Sequence, residues 1–168
     1  MANPVNALEK VLNEEITLYT SLCALEERKS EAIIAKDGKE LEEASGAQEA
    51  LLVLVAGLEE RRLKLIDEYA ENNHLDDMPR RITLRDIVFL MDEDSSRRLM
   101  RLGMDLKKLL LRLQSLHATN STLIEDNLKF FNTLLSGIRS SMTIETGYSR
   151  QGVEKARIAD SLLVNRTV

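Results

Sequence analysis

From Leu99 onward the chain places an apolar residue in heptad, four-three steps: Leu99, Leu102, Leu106, Leu109, Leu113, Leu116, Leu123, Phe130, Leu134 and Ile138. Only Asn120 and Asn127 interrupt this stripe. No Pro occurs within it, and Gly103 and Gly137 lie near its ends. The spacing predicts one helix over 95–142, roughly 48 residues and about 72 Å long at 1.5 Å per residue. Asp94-Ser95 is the predicted cap of that helix.

The first 72 residues read as a helical hairpin. Asn3-Pro4 supplies an N-cap and a first-turn proline. Leu8, Val11, Leu12, Ile16, Tyr19, Leu22, Leu25, Ala32 and Ile33 then form a broad apolar face, with Glu9, Glu14, Glu26, Glu27 and Glu31 mostly off it. Asp37-Gly38 marks the reversal, Gly38 being the residue suited to a left-handed turn. Asp37 with Glu40 also matches a capping box for a second helix. The second stripe runs Leu41, Ala44, Leu51, Val55, Leu58, Leu65 and Tyr69, with Gln48 and Arg62 as polar members. A turn this short forces the two helices, each about 50 Å long, antiparallel.

Residues 72–81, with Asn-Asn, Asp-Asp and Pro79, read as a connector. Thr83 with Asp86 then caps a short helix containing Ile87, Val88, Leu90 and Met91. After Met142 the pattern changes. Val153, Ile158, Leu162 and Leu163 support only a weak amphipathic helix, so 143–168 is expected to be a mobile tail that orders on a partner. The fold class is therefore all-α, an antiparallel up-down-up bundle of three long helices with a short connector helix. Its expected organisation is 1–142 as bundle and 143–168 as tail.

Helix lengths point to a site. A hairpin of about 35 residues covers only the first 35 or so residues of the third long helix, which puts the edge of cover near Phe130. Phe130, Phe131, Leu134, Leu135 and Ile138 lie beyond it, an apolar patch awaiting the tail, a second copy or a client protein. Asn120 and Asn127, one heptad apart, carry two readings: buried amides that fix register, or amides that meet a partner's backbone.

Composition narrows the functional classes. Aromatics make up 4% of the chain and Trp is absent, which favours helix over sheet. The net charge of −5 is unevenly spread: residues 1–73 carry 8 Lys and Arg against 16 Asp and Glu, residues 74–168 carry 15 against 12. The acidic half argues against nucleic acid as the main ligand. Cys23 is the only cysteine and reads as a small apolar filler in a reducing compartment. No apolar run approaches the roughly 20 residues of a membrane span, and no signal peptide is apparent, so a soluble cytoplasmic protein is expected.

Catalytic signatures are missing from the sequence. Glu71-x-x-His74 matches half of a di-iron bundle motif, but the other histidine, His117, has Gln114 three residues before it. No Gly-rich phosphate loop, Ser/His/Asp set or paired Cys ligands occur. A non-enzymatic protein without metal or cofactor is the expectation.

Several of these segments together resemble one family. They are Glu14-Glu15-Ile16-x-Leu18-Tyr19-x-x-Leu22, Glu26-Glu27-x-Lys29, Gln48-Glu49-x-Leu51-Leu52, Leu58-Glu59-x-Arg61-Arg62, Asn120-Ser121-x-Leu123-Ile124-x-x-Asn127-Leu128-x-Phe130 and Tyr148-Ser149-x-x-Gly152. In this order they resemble the FlgN family of flagellar type III export chaperones, over about residues 8–165. The resemblance implies a cytoplasmic chaperone for the hook–filament junction proteins FlgK and FlgL. It would bind their C-terminal helical segments, prevent premature assembly and deliver them to the export gate.

Family analogy places client binding in the late part of the third long helix and the tail. The candidate client-binding residues are accordingly Asn120, Leu123, Asn127, Phe130, Phe131, Leu134, Leu135 and Ile138. It also implies that Tyr148 docks on the gate protein FlhA. Ser149 departs from the glycine that often follows this tyrosine. The competing expectation is a structural coiled-coil protein that self-associates through its heptad stripe, and a homodimer is possible in the absence of client.

Overall fold

The computed structural model describes residues 4–75 and 82–145, with side-chain surroundings as far as residue 139. The described residues form four helices and no strand: α1 (Pro4–Ala35), α2 (Gly38–Asn72), α3 (Leu84–Val88) and α4 (Glu93–Glu145). The backbone divides into two units at the Asn127–Leu128 boundary.

Within the first unit, cross-helix bonds define the topology. Arg28 pairs with Glu40 at 2.6 Å, Gln48 with Glu26 at 2.7 Å and Arg62 with Glu15 at 3.0 Å, so α2 descends as α1 ascends. Arg98 meets Glu9 at 2.7 Å, Cys23 meets the Leu109 carbonyl at 3.7 Å and Asn120 meets Glu26. This part of α4 therefore runs parallel to α1 and antiparallel to α2, the expected up-down-up arrangement. Its main apolar cluster joins Val5, Leu8 and Leu12 of α1 to Ile66 of α2 and to Leu99 and Leu106 of α4, with Ile87 and Val88 of α3 packed among them.

The hairpin turn differs from the expected one. Lys36, not Gly38, takes the left-handed conformation (φ 57°), and Gly38 opens α2. Lys36 sits where the last α1 carbonyls need donors: its N–H reaches the Ile33 carbonyl at 3.2 Å, and the Asp37 N–H reaches that of Ala32 at 2.9 Å. Asp37 does cap α2, accepting from the Glu40 N–H at 3.0 Å. Only that half of the capping box forms, because the Glu40 carboxylate is taken by Arg28.

The short helix is capped as its sequence suggests, the Asp86 carboxylate accepting from both the N–H (2.8 Å) and the hydroxyl (2.7 Å) of Thr83, but it ends at Val88, so the expected members Leu90 and Met91 lie beyond it. α4 begins two residues earlier than expected. Its cap is Asp92, whose carboxylate accepts from the Ser95 N–H at 2.9 Å, while Ser95 is itself buried.

Burial corrects one reading of the charge pattern. Most glutamates are exposed or paired at the surface, but Glu15 and Glu26 of α1 are buried, 1% and 0% exposed. Glu15 accepts one bond, from Arg62, and its second carboxylate oxygen has no partner among the described residues. Burial pushes its carboxyl above the usual carboxylate range, more than the Arg62 hydrogen bond and charge pull it down.

Lys36→Gly should stabilise the protein by about 1 kcal/mol, because a side chain with a Cβ is strained in the left-handed region; a lower urea midpoint for the variant would contradict this. A carboxyl whose native pKa is raised stabilises the fold when protonated, and that contribution is lost as pH rises through the native value. Ionised Glu15 therefore weakens the fold at pH 7. Glu15→Gln, which copies the neutral form, should unfold at a higher urea concentration at pH 7, and the gap should close as the pH falls below about 4. A destabilised variant at pH 7 would show that the Arg62 pair outweighs the burial cost.

Candidate functional site

The stripe on α4 changes role along its length. Leu99 and Leu106 are buried, Leu102, Leu109, Leu113, Leu116 and Leu123 are half-buried, and Asn120 is 2% exposed. Asn120 spends its whole amide inside the first unit. Its nitrogen donates to the Glu26 carbonyl at 2.8 Å and to the Glu26 carboxylate, and its oxygen accepts from the Ser30 hydroxyl. Of the two readings of Asn120, its burial and complete bonding match the surroundings expected of a register-fixing amide. Leu123 and Asn127 are half-buried.

The Glu26 carboxylate is the centre of this cluster. It accepts from Gln48 of α2 at 2.7 Å and from Lys29 of α1 at 3.2 Å, lies 3.3 Å from His117 Nδ1 of α4, and is bonded by Asn120. Burial pushes its carboxyl up, but the donors Gln48, Asn120, Lys29 and His117 together outweigh that and hold it at about 2. Glu15 has one donor and Glu26 has four, which accounts for the opposite directions.

The second unit has a different surface. From Leu128 to Arg139 every described residue is exposed. Phe130, Phe131, Leu134, Leu135 and Ile138 are each between 46% and 55% exposed, and Leu128 is 59% exposed. At about 100° per residue, these six side chains fall within an arc of about 160°. Lys129, Asn132, Thr133, Ser136, Gly137 and Arg139 occupy the opposite arc. This is a two-faced helix with a wide apolar side.

The Phe130 and Phe131 rings meet edge to face, with centroids 6.1 Å apart and planes at 68°, a favourable aromatic geometry. Leu128 is the member that the sequence reading missed. It lies off the heptad positions, but its spacing of three and seven residues from Phe131 and Leu135 is helical. The expectations for Tyr148 and for an amphipathic segment at Val153, Ile158, Leu162 and Leu163 lie outside the described residues.

Cys23 is buried and its thiol is pushed up by burial, as suits a packing residue. Among the described residues no helix is long and apolar enough to cross a membrane.

Opening the Glu26 cluster should weaken the fold. Asn120→Leu removes one donor from the buried Glu26 carboxylate and one from the Glu26 carbonyl, and should cost about 2–3 kcal/mol in urea unfolding at pH 7. The native carboxyl lies below its unfolded value, so its stabilisation is fully present above about pH 4.5 and is lost as pH falls toward about 2. Asn120→Leu should therefore also flatten the fall of stability between those pH values. Unchanged stability with an unchanged acid limb would refute the anchoring role.

Comparison with known families gives one match: the chain fits the family model described as "FlgN protein" over residues 1–156. No curated protein and no solved structure matches it.

Proposed function

Since the chain belongs to the FlgN family, whose members are flagellar export chaperones rather than enzymes, we propose that it binds the C-terminal helical segments of FlgK and FlgL in the cytoplasm and delivers them to the export gate. The observation that carries the client-binding part is the exposed face of Leu128, Phe130, Phe131, Leu134, Leu135 and Ile138 on the late part of α4. An amphipathic client helix would lay its own apolar stripe against this face. Each large side chain contributes roughly 1.5–3 kcal/mol if fully buried. Ordering the client offsets much of that gain. The outcome is moderate affinity, suited to a chaperone that must release its cargo.

In this reading Leu123 and Asn127 border the client site, and Asn120 serves the bundle instead. Residues 143–168 form part of the binding region, and Tyr148 docks on the cytoplasmic part of FlhA. The exposed face also supports a second reading, in which it seats another copy of the chain as a homodimer or a structural coiled-coil assembly.

Leu134→Asp tests the proposal, since it alters the exposed face and none of the buried contacts. Titration calorimetry of the full chain against the C-terminal segments of FlgK and FlgL should give saturable one-to-one binding. The variant should lose at least tenfold in affinity with an unchanged unfolding midpoint. Unchanged affinity would remove this face from the client site. A mass that rises with concentration, together with no heat from either segment, would favour self-association.

A further inference from the structure

Beside the core cluster, α3 and α4 enclose an open apolar groove of about 480 Å³ in the first unit. Its floor is Leu12, Val88 and Leu106, all buried, and its walls are Leu84, Met100 and Met104. Gly103 lets the two helices close up: a Cβ there would come within 3.2 Å of Leu84 Cδ2. We propose that this groove is a second docking surface, built to seat an acidic amphipathic helix of a partner protein and distinct from the face at Phe130–Ile138.

Charge argues for the acidity. The lining includes Arg62, Arg85 and Lys107 and no acidic residue. Arg62 is committed to Glu15 and Glu59. Arg85 and Lys107 have no ion-pair partner among the described residues. Of the neighbouring α4 cations, Arg97, Arg98, Lys108 and Arg112 are each paired with a carboxylate, while Arg101, outside the groove lining, is not paired among the described residues. Two uncommitted cations flanking an apolar trough complement carboxylates flanking an apolar stripe.

Shape argues for a helix. Met100, Met104, Lys107 and Leu111 repeat at helical spacing along one face of α4, over about 16 Å, or three turns. Met100, Met104 and Leu111 are 42%, 58% and 56% exposed. That stripe continues past the groove, longer than a compact ligand needs and matched to two or three turns of a partner. Methionine side chains adapt to varied partners because they are unbranched and polarizable.

The six methionines make the idea testable by methyl NMR on the full chain labelled at the methionine methyls, with Met100 and Met104 assigned by substitution to Leu. The probe is an 18-residue helical peptide with Leu at positions i, i+3, i+4 and i+7 and Glu on both flanks. It should shift the Met100 and Met104 methyls saturably and leave that of Met142, four positions after Ile138 in the chain, unmoved. The same peptide with Lys for Glu should bind at least tenfold more weakly. The Arg85→Glu/Lys107→Glu double variant, with both changes at the exposed rim, should reverse that preference. Leu134→Asp should leave the groove response intact, which separates this site from the client face.

Movement of Met142 alone, or equal binding of the two peptides, would overturn the proposal. So would shifts produced by laurate but not by the acidic peptide, which would make the groove an acyl-anion pocket. No shift from either peptide at millimolar concentration would overturn it too.

Discussion

The register of the long helices rests on one buried anion. Glu26 of α1 collects donors from all three long helices: Lys29 on α1, Gln48 on α2, and His117 and Asn120 on α4. Leucine stripes do not fix register well, since a slide of one heptad brings leucine onto leucine again. A slide of that kind here would strip Glu26 of its donors and leave a charge buried and uncompensated, at a cost of several kcal/mol. Buried polar groups select one alignment in coiled coils by the same reasoning. The surface pairs Glu9–Arg98 and Glu27–Arg112 agree with that alignment but add little energy.

The same anchor explains how one continuous pattern on α4 serves two purposes. Up to Leu123 the heptad positions are buried or half-buried, whereas from Leu128 to Ile138 the apolar side chains are exposed. Nothing in the leucine spacing marks the change. The exposed part is richer in aromatic residues and has polar residues on one side only, the surface on which the proposed client binding rests. A family of export chaperones needs such a surface, together with a body stable enough to keep its shape while the cargo comes and goes.

Most of the fold was legible in the sequence. Helix number, the hairpin, the up-down-up order, Asp37 as a cap and the Thr83–Asp86 pair all follow from periodicity and capping chemistry. The misses have physical reasons. Lys36 rather than Gly38 adopts the left-handed turn because its backbone is where the α1 carbonyls need donors, a constraint invisible in composition. Asp92 and not Asp94 caps α4 because several neighbouring residues are able to cap, and only packing chooses among them. Glu26 reads as lying off the apolar face because α1 carries so many glutamates, and Glu15 does not stand out among them. The clue lay on α2, where Gln48 and Arg62 interrupt the apolar stripe, and each proves to be the partner of one buried glutamate.

The candidate site was partly legible for the same reason. Helix lengths located the exposed face near Phe130, but periodicity alone left Asn120 open between register and recognition. Its partner Glu26 lies 94 positions away in the chain, so tertiary contact had to decide. The segments that carry the family resemblance contain Glu15, Arg62, Glu26, Lys29, Gln48 and Asn120, every member of the two buried polar contacts named above except His117. Leu128 and Phe130 of the exposed face close the segment that begins at Asn120.

Hydrogen exchange of the full chain, free and with a saturating FlgK C-terminal segment, tests the central claim most directly. The account predicts new protection over residues 128–139 and an unchanged pattern across α1, α2 and α4 up to Asn120. Protection gained on α1 or α2 instead, with residues 128–139 exchanging as before, would contradict it.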